Sequence, residues 1–195
     1  MNILRNIFSV IGLFTIISVF ILIYKMEPAY HTFMSFDDKA LATYTKLAED
    51  ILETGNAAEA TVWKTKVQEG LSASDVEEAM RSVANEYNIK NVGELPLSKQ
   101  VEAMSGKPYR HMKIYMFCNA LTAAKMVDYS DAFSAYLPCR VTLLEDKKGQ
   151  LWIYSLNMDL MIHGGKQLPP ALKEEALRVK MIIQNIMKRG AAGEF

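Results

Sequence analysis

The chain has 195 residues and carries 22 Lys plus Arg against 22 Asp plus Glu, a formal net charge of zero. That balance excludes the basic footprint by which a domain attracts nucleic acid, and no basic stripe interleaved with aromatics is present. Beyond one apolar run near the start, the length leaves room for one domain and some connecting structure.

From Ile7 to Tyr24 no residue is charged. At 1.5 Å per residue such a run reaches about 27 Å, close to the hydrocarbon thickness of a bilayer. A secretory signal would have a shorter apolar region followed by small residues. Here Tyr24, Lys25, Met26 and Glu27 follow instead. Residues 1–27 therefore read as an uncleaved single-pass anchor in the inner (cytoplasmic) membrane. Arg5 and the amino terminus precede the span and Lys25 follows it, a nearly even count under the positive-inside rule. No larger basic cluster follows the span, and domains behind short amino-terminal segments are usually exported. The expected orientation is thus a cytoplasmic N-terminus and a periplasmic domain.

Residues 28–59 read as a helical stalk. Pro28 is expected to break the span, Ser35 to cap the next helix, and Asp37 and Asp38 to sit at its positive end. Leu41, Tyr44, Ala48, Ile51 and Leu52 follow at helical spacing up to Gly55, giving a stalk or an oligomer contact.

The domain proper spans 60–190. Trp63, Thr65 and Val67 alternate with Lys64, Lys66 and Gln68, which predicts a strand over 61–68. Ser74 and Glu77 have capping-box spacing ahead of Val76, Met80, Val83 and Tyr87, predicting a helix over 75–87. Asn88 to Leu95 is β-tolerant and stopped by Pro96, and 98–104 has room for two helical turns. In the strand 111–118, Met112, Ile114, Met116 and Cys118 are expected to form the inner face. Asn119 can cap a short helix through Val127. Leu137 and Pro138 lead into a strand over 139–145, and Asp146, Lys147, Lys148 and Gly149 turn it into a second over 150–156. Pro169 and Pro170 open a last amphipathic helix that is expected to end at Gly190, leaving 191–195 as a tail. The fold class is α+β, a mainly antiparallel sheet with helices on one face.

Two segments, KIYMFCNALTAAKMV and YLPCRVTLLEDKKGQLWI, carry a family resemblance. Cys118 and Asn119 end one strand, Leu137, Pro138, Cys139 and Arg140 open the next, and Glu145, Asp146 and Gly149 form the hairpin. In these features the chain resembles the bacterial and archaeal family known as domain of unknown function 302, over roughly residues 61–189. The resemblance implies a small α+β domain, often dimeric, and by the family's name no established activity. The membrane anchor, the stalk and the segment around His163 depart from the usual member.

Cys118 and Cys139 are the only cysteines. Three readings of them stay open: a structural disulfide, which an exported compartment would preserve, two buried thiols, or a redox or sulfur-carrying pair. Met158, Met161 and His163, followed by Gly164 and Gly165, are ligand types for haem iron or copper, with glycines that let backbone approach a planar group. The alternative is core packing and a turn before the last helix. His111 and Met116 would join such a site only if the fold brought them near. Arg140 could orient an anionic ligand or form a surface ion pair, and Asn119, Gly164 and Gly165 are the other ligand-binding candidates. No HExxH, GxSxG or phosphate-cradling loop is present. The expected function is a non-enzymatic, membrane-tethered binding or accessory domain that self-associates and serves a redox or respiratory membrane complex. The alternatives are a thiol-based sulfur or disulfide handler and a haem or copper protein.

Overall fold

The computed structural model describes residues 2–195, with side-chain surroundings from residue 6 onward; Arg5, on which the expected orientation partly rests, lies outside the latter range. Helix α1 (Asn2–Met34) is apolar, exposed along its described length, and long enough to cross a membrane by length and composition. It runs through Pro28 without ending, so the expected break is not there. A proline inside a helix forfeits one backbone bond but need not end it when the turns on both sides are intact. Helix α2 (Ala40–Thr54) then ends at Gly55, whose φ of 65° is the left-handed cap. Ser35 does not cap it; its hydroxyl donates back to the Thr32 carbonyl at 2.6 Å. The segment before α2 is held instead by Asp37, which accepts from Lys39 N–H at 3.0 Å.

A short helix α3 (Ala57–Ala60) leads to β1 (Val62–Lys66), α4 (Ala73–Glu86), β2 (Lys90–Leu95), α5 (Leu97–Ser105), β3 (Met112–Cys118) and α6 (Ala120–Tyr129). A 3₁₀ turn (Asp131–Tyr136), β4 (Cys139–Glu145), β5 (Leu151–Leu156), α7 (Asp159–His163) and α8 (Pro170–Ala192) complete the chain. All five expected strands form one sheet in the order β1-β5-β4-β3-β2, every neighbouring pair antiparallel. Helices α4 and α8 pack on one face and on each other, which is the expected α+β architecture.

Three local expectations change. The capping box of α4 is Ser72 with Asp75, not Ser74 with Glu77; Glu77 points instead at Lys113, 2.8 Å away. In β3 the buried residues are Tyr115 and Phe117, so the inner face is the aromatic one and Met112, Ile114 and Met116 lie half-exposed on the other. The two parities of this strand are both apolar, and the larger rings win the core because they remove more surface from water. Lys113 shares the aromatic parity and is neutralised there by Glu77 and Glu94. Finally, α8 continues through Gly190 to Ala192 and is capped by Gly193, φ 68°. Gly190 is a contact glycine: a Cβ there would stand 2.5 Å from Met80 Cγ, so the missing side chain lets α8 lie close on α4. Ala191 is buried and its carbonyl accepts from Gln68 N–H, so the tail is shorter than 191–195.

Candidate functional site

Strands β3 and β4 run antiparallel with Phe117 opposite Cys139, which brings the end of one and the start of the other to the same sheet edge. Asn119 follows Cys118 and turns the chain into α6 by accepting from Leu121 and Thr122 N–H. Between that turn, the 3₁₀ segment and α8 lies a narrow crevice. Its walls are Phe117, Met126, Phe133 and Leu137 from the sheet and helix side, with Cys118, Cys139, Met158 and Met161 among the lining residues. Thus two groups of candidates chosen on separate grounds, the cysteine pair and the Met158 and Met161 pair, share one cavity. Met126, which the sequence did not single out, joins them; its helical periodicity was indistinguishable from core packing.

No charged side chain lines this crevice, and its volume is about 40 Å³. That is room for an ion or a few small groups, far below the roughly 300–1,000 Å³ of a preformed pocket for a drug-sized molecule. Both cysteines are free thiols. Burial pushes the Cys118 thiol up, and burial followed by the nearby Cys118 pushes Cys139 up to about 11. At neutral pH such a group is about one part in 10⁴ thiolate, against a few per cent for an ordinary cysteine. The crevice therefore holds its thiols protonated and poorly nucleophilic.

The remaining candidates lie elsewhere. His163 is 3% exposed and its Nδ1 lies 3.0 Å from Asp37 Oδ1. Lys173 on α8 reaches the other Asp37 oxygen at 2.5 Å. Burial alone would raise the Asp37 carboxyl, but Lys173, the Lys39 N–H and His163 together hold it well below the usual carboxylate range. Gly164 and Gly165 belong to the same junction. Asp37 N–H donates to the Gly165 carbonyl at 2.8 Å, Phe36 pairs with Lys166 as an isolated antiparallel bridge, and the Tyr44 hydroxyl donates to the Gly164 carbonyl at 2.5 Å. The two glycines thus hold the junction through their carbonyls, and Gly164 is needed at the end of α7, where a Cβ would lie 2.3 Å from the Leu160 carbonyl oxygen. What the sequence presented as a cofactor cradle is a clasp between the α1–α2 junction and the domain. A haem does not fit: Met158 and Met161 line the narrow crevice while His163 is turned to Asp37.

His111 sits at the opposite end of β3 from Cys118, its Nε2 4.0 Å from Glu77, and Met116 lies on the open sheet face over Gly93. Neither joins the crevice. Arg140 is exposed and borders a smaller opening behind the crevice that shares Cys139, Met158 and Met161 with it. Among the described residues no carboxylate lies within ion-pair distance of it, so the expected surface ion pair is not made.

A second polar cluster, Glu77, Arg81, Glu94 and Lys113, was not legible as such in the sequence. Lys113 contacts both carboxylates at 2.8 Å and Arg81 adds Glu94 at 2.7 Å. Burial opposes ionisation of Glu77 and Glu94, yet Lys113 and Arg81 hold both carboxyls below their ordinary values. Burial, then Glu77, raises the enclosed Tyr115 phenol far above its usual range. Two cations face two anions, so this cluster braces α4 on β2 and β3 and offers no spare charge to a ligand.

Among the described residues, no three His, Cys, Asp or Glu side chains converge as a metal site. The family model described as Domain of unknown function DUF302 matches residues 63–190. A protein of Aquifex aeolicus (strain VF5), itself described as uncharacterized, is 25% identical over 138 residues, covering 70% of this chain and 89% of its own. The crystal structure of an uncharacterized conserved protein DUF302 from Bacillus stearothermophilus matches with a TM-score of 0.54 at 16% identity, over 66% of this chain and 97% of that one. The last likeness is one of fold.

Proposed function

The chain belongs to the Domain of unknown function DUF302 family, and from that premise we propose that it is a membrane-tethered binding domain whose site is the sulfur-lined crevice. The observation that carries this reading is the lining itself: two protonated thiols and three thioethers in an uncharged cleft. Such a surface suits a small apolar or thiophilic guest and lacks the base a nucleophilic thiol would need. Native mass spectrometry of the full chain released from its own membranes tests it. Wild type is expected to carry a bound mass that Ala123→Trp, which fills the crevice, and alkylation of Cys118 both remove. A wild type with no added mass would end this reading.

Helix α1 is the membrane tether in this proposal, and the domain faces the periplasm with the N-terminus cytoplasmic. What supports it is an apolar helix long enough to span and unburied by the domain, with the Asp37 clasp keeping the domain close to the membrane. The half-exposed sheet face around Met112, Ile114, Leu144 and Trp152 supports self-association, and a site of soft ligands beside the membrane supports service to a redox or respiratory assembly. A single reporter cysteine at exposed Lys64, placed in a chain with Cys118→Ser and Cys139→Ser, is expected to react with a membrane-impermeant maleimide in cells with a permeabilised outer envelope but an intact inner membrane. Labelling only after the inner membrane is lysed would reverse the orientation.

Thiol-based sulfur or disulfide handling is the second reading, favoured by the placing of Cys118 beside the partner of Cys139 across β3 and β4. It ranks lower because both thiols are held protonated.

A further inference from the structure

We propose that the crevice is a binding site for one soft monovalent cation of the copper(I) type, held by thiolate and thioether sulfur from Cys118, Cys139, Met126, Met158 and Met161. The proposal deepens the binding reading above and rests on it.

Three features point the same way. All five sulfur-bearing residues border one cavity, and they arrive from the end of β3, the start of β4, α6 and the α7 turn. No imidazole or carboxylate lines it, and its only oxygen-bearing side chains are the neutral ones of Asn119, Thr122 and Tyr136, so the anionic oxygens and imidazoles that favour magnesium, calcium or most zinc sites are missing, while thioethers and thiolates select the softest ions. The volume of about 40 Å³ admits an ion and excludes an organic ligand of drug size.

Charge balance selects the valence. The cavity is uncharged and apolar, and leaving a net charge there is expensive. A monovalent ion that displaces one thiol proton to solvent leaves the site neutral: one proton leaves, one ion enters, and one metal–thiolate bond replaces one S–H bond with no electron transferred. A divalent ion would leave a positive charge unless both thiols ionised. One of the two cysteines supplies the thiolate, and the other with the methionines completes the sulfur shell.

The test is an anaerobic competition between the full chain in detergent and the copper(I) chelator bicinchoninate. One copper(I) per chain is expected, with affinity rising about tenfold per pH unit from pH 6 to pH 8 as one proton is released. Cys118→Ser with Cys139→Ser is expected to weaken binding at least 100-fold, and Met158→Leu with Met126→Leu about tenfold or more. Met112→Leu with Met116→Leu, on the opposite sheet face, serves as the matched control and is expected to bind as wild type. X-ray absorption at the copper edge should show sulfur neighbours alone. A wild type that fails to compete, copper retained by the double-serine chain, or nitrogen neighbours would overturn the proposal. If copper fails while native mass spectrometry still finds a guest that Ala123→Trp excludes, the binding reading stands and only the ion is wrong.

Discussion

Phe117→Ala is expected to destabilise the domain by about 3–5 kcal/mol, whereas Met116→Ala, one residue away, should cost about 1 kcal/mol or less. Phe117 is fully buried, stacks near Tyr115 with ring centroids 6.5 Å apart, and forms part of the crevice wall. Its removal deletes a large apolar surface and leaves a cavity that close-packed neighbours cannot fill. Met116 covers Gly93 on the half-exposed face, where solvent occupies part of the space its truncation vacates. Urea unfolding of the full chain in detergent, followed by the fluorescence of Trp63 and Trp152, measures both. Equal costs, or a larger one for Met116, would mean that the sheet presents its other face to α4 and α8.

Asp37→Ala is expected to cost about 2–3 kcal/mol, at the lower end of what breaking a buried ion pair costs because Lys173 reaches partly to solvent. The carboxylate is wholly buried and serves Lys173, His163 and the Lys39 N–H at once, so its loss strands a cation and opens the junction between α1 and the domain. The pH dependence has a definite sign. Because the Asp37 carboxyl ionises more readily folded than unfolded, its contribution is complete above about pH 4, the ordinary aspartate range, and is lost as the pH falls below that toward the lowered folded value. Wild type should therefore weaken more steeply than Asp37→Asn between pH 5 and pH 3 in the same unfolding assay. Limited proteolysis supplies a local readout: cleavage between residues 34 and 40 should quicken in Asp37→Ala at neutral pH. An unchanged cleavage rate would show that the clasp holds nothing in place.

The partners of Asp37 explain why this feature escaped the sequence. Asp37 and Asp38 followed by a helical pattern read as first-turn acids, which is the commoner use of such residues. The alternative needed His163 and Lys173 to come within reach, and they lie 126 and 136 positions away in the chain. Likewise Glu77 satisfied a capping-box spacing and was used for Lys113. The crevice was half legible. Each cysteine and methionine stood out by chemistry, but their convergence depends on β3 and β4 being neighbours and on α7 folding back over their ends.

The apolar helix, all five strands, the β4–β5 hairpin with its Gly149 turn, the cap at Asn119 and the α+β class are legible in the chain alone. These follow from periodicity and turn chemistry, interactions between residues a few positions apart. Long-range packing settles which face of β3 is the core, that Gly190 is a contact rather than a stop, that the Gly164 and Gly165 carbonyls hold the junction with α1, and that Cys118, Cys139 and three methionines border one cavity. Each of these depends on what a distant element places opposite the residue, and local pattern carries no information about that.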